Sequence, residues 1–273
     1  PMALQQSLFL PELSRAGCPA KAAVFDFDGT ISTLRCGWES VMERIMLQRL
    51  EGGSLAGEEL TGHIRRYIDE STGIQTIFQM EWLAGQVRSL CGREPLDPWE
   101  YKDQYNAALM EMVESRLAGL SNGTADPAGF LVPGSREYLE LLADAGISIY
   151  IASGTDEEAV RREAELLGIA PLAREVRGAP HRRKDCSKEA VIRQILETGG
   201  LAGRELLIAG DGKVEIQLGR DAGAVTIGVA SWELQKKPGL NPRKLQKLQK
   251  AGARYIAADF LPLIRCWNEE ESV

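Results

Sequence analysis

Two aspartates, Asp26 and Asp28, stand two residues apart where the apolar run A-A-V-F gives way to D-F-D-G-T. In an extended segment residues i and i+2 share a face, so both carboxylates leave the chain on one side while Phe27 turns toward a core. Neighbouring carboxylates repel each other, which costs stability unless a cation stands between them. Mg²⁺ suits such a pair, because it takes oxygen ligands and keeps part of its shell for water or phosphate. Asp211, in the glycine-flanked G-D-G at 210–212, offers another carboxylate oxygen. Gly29 lets the chain turn sharply, and Thr30 then brings a hydroxyl and a backbone N–H close to a helix N-terminus, where an anion is stabilised. Ser153-Gly154-Thr155 closes a second apolar run; its hydroxyls and N–H groups suit phosphate oxygens, and Thr155 or Asp156 also suits the cap of a following helix. The bland alternative for Asp26 and Asp28 is a solvated pair capping a helix. The buried run directly before them argues for chemistry instead.

The elements that must position these groups follow from apolar periodicity. Short β-prone runs occur at 22–27, 147–152, 206–209 and 225–229, with a weaker one at 255–257. Helical patterns lie between them: 135–145 carries Tyr138, Leu139 and Leu142 on one face, and 188–196 carries Val191, Ile192 and Ile195. The pattern at 155–167 opens with Thr155-x-x-Glu158, the spacing of a capping box, and stops at Gly168. Strands that alternate with helices predict an α/β fold, a Rossmann-like three-layer α/β/α core around a mostly parallel sheet. In such a sheet the ligand crevice lies beyond the carboxyl ends of the strands. D-F-D-G-T, S-G-T and G-D-G-K-V-E are therefore expected to meet at one mouth.

Residues 34–122 break the alternation. Helical spacing recurs in Trp38, Val41, Met42 and Ile45, in Leu60, Ile64 and Ile68, in Ile74, Ile77 and Phe78, and in Tyr105, Leu109 and Val113. These stripes read as packing, and they predict an inserted all-α domain at 34–122. The core domain then comprises 1–33 and 123–273, with the Gly- and Pro-rich 121–133 as the return linker.

Composition narrows the function classes. A net charge of −7 and a pI of about 5.2 speak against binding the phosphate backbone of nucleic acids. No apolar run approaches the ~20 residues that span a bilayer, and residues 1–20 lack the pattern of a secretory signal, so a cytoplasmic protein without membrane partners is expected. The five cysteines form no C-x-x-C, and the two histidines are too few for a histidine-built zinc hydrolase. No cysteine precedes an arginine at the spacing of a cysteine phosphatase. Ser153 is not in G-x-S-x-G, and Gly212-Lys213 lacks the rest of a P-loop. Residues 236–250 hold six basic side chains and no acid, and read as a solvated helix face, with an anionic partner as the other reading.

Taken together, Asp26-Phe27-Asp28-Gly29-Thr30, Ser153 and Gly210-Asp211-Gly212-Lys213-Val214-Glu215 resemble the first, second and fourth motifs of haloacid dehalogenase (HAD) superfamily phosphatases. Among these, phosphoglycolate phosphatase-like members with a helical C1-type cap are the most similar. The resemblance implies that Asp26 attacks phosphorus to form an aspartyl phosphate and that Asp28 is the general acid and base. It implies Mg²⁺ held by Asp26, the backbone carbonyl of Asp28, and Asp211, with Glu215 in the metal's outer shell or paired with a lysine. Gly29, Thr30, Ser153 and Gly154 would bind phosphate. The third motif is a lysine, for which two candidates exist. Lys188 lies at the first turn of a helix capped by Ser187; Lys184 follows the basic run His181-Arg182-Arg183 and reaches the same region from a loop. Lys188 is favoured. The cap would set specificity through Arg35, Gln75 and Gln79, while Trp38 packs inside it. The implied substrate is a small organic phosphate monoester. A phosphotransferase or phosphomutase on the same scaffold, and a non-catalytic phosphate-binding regulator, are the rival readings; the intact set of acids and lysine speaks against the regulator.

Overall fold

A computed structural model describes residues 2–3, 10–184, 188–233 and 237–269. Among these residues seven strands form one sheet: β1 (Met2–Ala3), β2 (Ala22–Phe25), β3 (Ser148–Asp156), β4 (Glu175–Ala179), β5 (Leu206–Gly210), β6 (Val225–Val229) and β7 (Tyr255–Ala257). Their order is β1-β7-β6-β5-β2-β3-β4 and every pairing is parallel. Strand β2 is buried on both faces, as its continuous apolar sequence requires. Ala23 and Phe25 enter a core with Tyr138, Phe260 and Trp267, while Ala22 and Val24 face Val191, Ile192 and Ile195. The first layer comes from α5 (Ser135–Asp144), α6 (Glu157–Leu166) and α10 (Leu261–Asn268), the second from α7 (Lys188–Gly199) and α8 (Lys213–Asp221). The three-layer α/β/α architecture is thus the one expected.

Register is what brings the motifs together. Phe25 of β2 is level with Ile151 of β3 on one side and with Ala209 of β5 on the other. Asp26, Ser153 and Asp211 follow within two residues of those level positions, so they emerge side by side at the carboxyl edge.

Between β2 and α5 the described secondary structure is helical apart from isolated bridges: α1 (Trp38–Leu50), α2 (Gly57–Glu70), α3 (Thr76–Cys91), α4 (Pro98–Ser121) and a 3₁₀ turn, Pro127–Phe130. Met42, Met46, Ile64, Leu83, Leu109 and Val113 pack the helices together. Asp97 starts α4 by accepting from the Trp99 N–H, with Pro98 in the first turn where its missing N–H costs nothing. No helix among the described residues is long and apolar enough to cross a membrane.

Two local expectations are corrected. The capping box of Thr155 and Glu158 does not form, because β3 runs on through S-G-T to Asp156 and α6 begins only at Glu157. Thr155 is therefore a strand residue. Asp156, the N-cap, makes no side-chain cap bond; it accepts from Asn106 Nδ2 at 2.9 Å and pairs with Lys102, both on α4. Strand β4 was not expected. Its sequence E-V-R-G-A is half polar, which suits the edge position it takes.

Candidate active site

Asp26 lies just past β2, where its N–H donates to the Ala209 carbonyl of β5. Its side chain is buried, and single carboxylate oxygens of Asp26, Asp211 and Glu215 lie within 4.8 Å of one another. Burial pushes the Asp26 carboxyl well above the usual carboxylate range; Lys188 draws it back, and Glu215 and Asp211 push it up again. A buried all-oxygen cluster of this kind is a donor set that fits Mg²⁺.

Strand β2 ends at Phe25, and Asp26 and Asp28, just beyond it, both line one crevice, each with its own partners. Asp28 Oδ2 accepts from Thr155 Oγ1 at 2.8 Å and from Ser153 Oγ at 3.2 Å. Its Oδ1 is buried without a hydrogen-bond partner, 4.0 Å from Arg35 Nε. The carboxylate that completes the buried cluster is Glu215, not Asp28. Gly29 takes φ +78°, and a Cβ there would collide with Asp211 Oδ2 and meet Glu233 Oε1 at 3.0 Å, so the turn demands glycine. Thr30 is corrected: it is fully buried, its hydroxyl has no partner, and it does not line the crevice. Gly154 does line the crevice, and a Cβ on it would stand 2.6 Å from the Ile74 carbonyl, where the α2–α3 loop closes over the site.

The two lysine candidates separate cleanly. Lys188 Nζ lies 2.9 Å from Asp26 Oδ1 and 2.9 Å from Glu215 Oε2, and the side chain is buried. Burial alone would depress its ammonium, yet Asp26 and Glu215 hold it above the ordinary lysine range. Of the two places open to Glu215, the structure has the pairing with lysine; its other oxygen accepts from the Gly212 N–H at 2.7 Å and so starts α8. Lys184 is corrected to a different role. It is half-exposed and paired with Glu81 of α3, away from the carboxylate cluster. Ser187, the expected cap of α7, lies outside the described residues.

A cavity of about 850 Å³ opens above these groups, within the range of small-molecule sites. Arg35 and Gln79 line it and Gln75 does not. Gln79 is buried and donates from Nε2 to Ser71 Oγ at 3.0 Å; Gln75 is buried at the start of α3. Arg35 is held by Glu163 of α6, with Nη2 at 2.6 Å and Nε at 3.0 Å from Oε1, so its fork is engaged by the core instead of facing a ligand freely. Trp38 is partly buried against the core and also lines the cavity. Breaking a buried ion pair strands the surviving charge, typically at a cost of 3–5 kcal/mol. Glu163→Gln is accordingly expected to lower stability by about 3 kcal/mol, read as a fall in the urea midpoint at unchanged slope. A loss below about 1 kcal/mol would show that Arg35 finds water or Asp28 instead.

One contributor escaped the sequence reading. Helix α9 (Pro242–Ala251), expected to be a solvated basic face, turns two of its lysines into the crevice. Lys244 Nζ is 2.8 Å from Asp211 Oδ2 and also pairs with Glu233, while Lys247 Nζ is 2.8 Å from Asp69 of α2. Positions 244, 247, 248 and 251 share one helix face with buried Leu248 and Ala251. A lysine in register with an apolar stripe, just after the start signal Asn241-Pro242, was the available clue.

Residues 20–223 match the haloacid dehalogenase-like hydrolase family. No curated protein matches the chain. Among solved structures, a hydrolase from Pseudomonas syringae is 18% identical with a TM-score of 0.60, covering 89% of this chain and 96% of that one. A predicted phosphoglycolate phosphatase from Haemophilus somnus is 16% identical with a TM-score of 0.59, covering 90% and 97%. A haloacid dehalogenase-like family protein from Streptococcus pneumoniae is 19% identical with a TM-score of 0.55, covering 90% and 96%. At such identities the likeness to these three is one of fold. The family match spans most of the chain and takes in Asp26, Ser153, Lys188 and Asp211 at one strand edge: the chain belongs to the haloacid dehalogenase-like hydrolases.

Proposed function

We propose that the protein is a Mg²⁺-dependent phosphatase that hydrolyses a small organic phosphate monoester through an aspartyl phosphate on Asp26. The observation that carries this reading is the Lys188 ammonium 2.9 Å from Asp26 Oδ1, beside the buried carboxylate cluster. Asp26, Asp211 and the backbone carbonyl of Asp28 would hold Mg²⁺, with Glu215 behind them. When bound, the metal neutralises phosphate charge and aligns the ester with its nucleophile.

The chain's own residues do the rest. Asp26 presents a carboxylate oxygen to phosphorus, with Lys188 steadying both that oxygen and the charge that grows on the phosphoryl group. Ser153 Oγ and the backbone N–H groups near Gly29 and Gly154 bind phosphate oxygens. Asp28 gives its proton to the leaving oxygen, then takes one from the water that attacks phosphorus, breaks the bond to Asp26 and releases inorganic phosphate. The Thr155 hydroxyl that donates to Asp28 Oδ2 keeps that carboxylate turned toward the crevice, while the Ser153 hydroxyl, which shares Oδ2 in the free protein, turns onto phosphate. Residues 34–122 act as a cap over the core formed by 1–33 and 123–273. The α2–α3 loop excludes water at Gly154, and Gln79 lines the cavity where the leaving group would sit, with Arg35 held beside it by Glu163.

The test is phosphate release from a panel of phosphate monoesters with water as the only acceptor. Turnover should vanish with chelator and return when Mg²⁺ is restored. Release that requires a second hydroxylated substrate would make the protein a phosphotransferase or phosphomutase. Release that survives exhaustive chelation would overturn the metal assignment.

A further inference from the structure

Lys188 serves Asp26 and Glu215, but it does not touch Asp211. The cation on the Asp211 side is Lys244, which approaches from α9. Its ammonium sits at a node: Asp211 Oδ2 at 2.8 Å, the carboxylate of Glu233, and Ser231 Oγ at 3.5 Å. Ser231 in turn donates to the Gly29 carbonyl at 3.2 Å, and Glu233 Oε1 lies where a Cβ on Gly29 would meet it at 3.0 Å. Lys244 and Glu233 are thus built into the wall formed by the D-G-T turn and the end of β5. Both lie beyond residues 20–223, the stretch that matches the family.

We propose that Lys244 and Glu233 form a charge-setting pair that governs how tightly the Asp211 cluster holds a divalent cation. Lys244 opposes the cation and Glu233 draws the ammonium away from Asp211. The inference rests on the reading of Asp26 and Asp211 as a cation site. Its physical basis is that an ammonium 2.8 Å from Asp211 Oδ2 and a divalent ion bound to the same carboxylate repel each other strongly where water is scarce. The repulsion falls if the ammonium swings onto Glu233, which already shares it, or toward the cavity that Lys244 lines. Lys244 is a positioning residue in this scheme. It sets the affinity of the site through Asp211 and leaves the chemistry to Asp26 and Asp28.

Calorimetric titration of Mg²⁺ and of Mn²⁺ into the purified chain tests this without any substrate. Lys244→Met should tighten both cations by about 10-fold, the effect of removing one nearby positive charge in a poorly screened site. Glu233→Gln should do the reverse, weakening them by about 5-fold, because the ammonium then rests on Asp211 alone. Lys244→Arg should return binding close to that of the unaltered chain. Opposite signs are the signature, since a residue that merely packed the wall would weaken binding in both variants. Equal or weaker binding by a folded Lys244→Met protein overturns the proposal. Should that variant not fold, Glu233→Gln decides alone, and unchanged or tighter binding there overturns it equally. An unaltered chain that binds neither cation would remove the metal reading and this inference together, whereas normal binding with no change in the variants defeats only the charge-setting pair.

Discussion

Asp26→Asn is expected to lower turnover by about 10⁴-fold or more, as removal of a covalent nucleophile does in other hydrolases. The fold should survive it. Asn fills nearly the same volume, and the change removes one of three buried acids that crowd together; Lys188 keeps Glu215 as its partner. Relief of that crowding predicts a melting temperature equal to or above that of the unaltered chain when no divalent ion is present. The two proteins should then diverge on adding Mg²⁺, because a ligand that binds only the native state raises its stability in proportion to affinity. The unaltered chain should gain more than the variant. Steady-state release of phosphate and a thermal melt with and without Mg²⁺ measure both effects. Undiminished turnover in Asp26→Asn would place the nucleophile elsewhere. A collapse of the melting temperature would mean that Asp26 is chiefly a structural partner of Lys188.

The second large effect concerns Lys188. Lys188→Ala should cost 10²- to 10³-fold in turnover, about what the loss of one preorganised charge donor costs elsewhere. Lys184→Ala should change it by less than about two-fold, since a half-exposed pair with Glu81 is worth little. The stability readout separates the lysines further. Removing Lys188 leaves Asp26 and Glu215 buried without a counter-charge, so a loss of about 3 kcal/mol is expected in chelator. Added Mg²⁺ should recover part of that stability without recovering turnover, because a metal on Asp211 cannot take the lysine's place against the phosphoryl oxygens. If the lysine variants lose turnover equally and slightly, neither holds phosphate. A larger loss in Lys184→Ala would move the role to the loop at 181–184.

Much of this molecule is written locally in its sequence. The runs that became β2, β5, β6 and β7 are short and continuously apolar, and burial on both faces is a property each run carries by itself. The helical stripes around Met42, Ile64 and Leu109 are equally self-contained. Asp26, Ser153 and Asp211 were legible because a parallel sheet places every strand's carboxyl end on one edge, so strand ends far apart in sequence must meet.

What only the tertiary structure decided depends on side chains arriving from elsewhere. The choice between Lys188 and Lys184 rests on which ammonium meets Asp26 and Glu215 once the chain has folded, which no local signal encodes. Asp28 meets Ser153 and Thr155 because β3 runs on to Asp156, and strand length is set by neighbours as much as by propensity. Arg35 was drawn to Glu163, 128 residues away, and Lys244 to Asp211. Long basic side chains on a helix look alike in sequence whether they end in water or on a buried carboxylate. Desolvation and a waiting counter-charge settle which, and both exist only once the chain has folded.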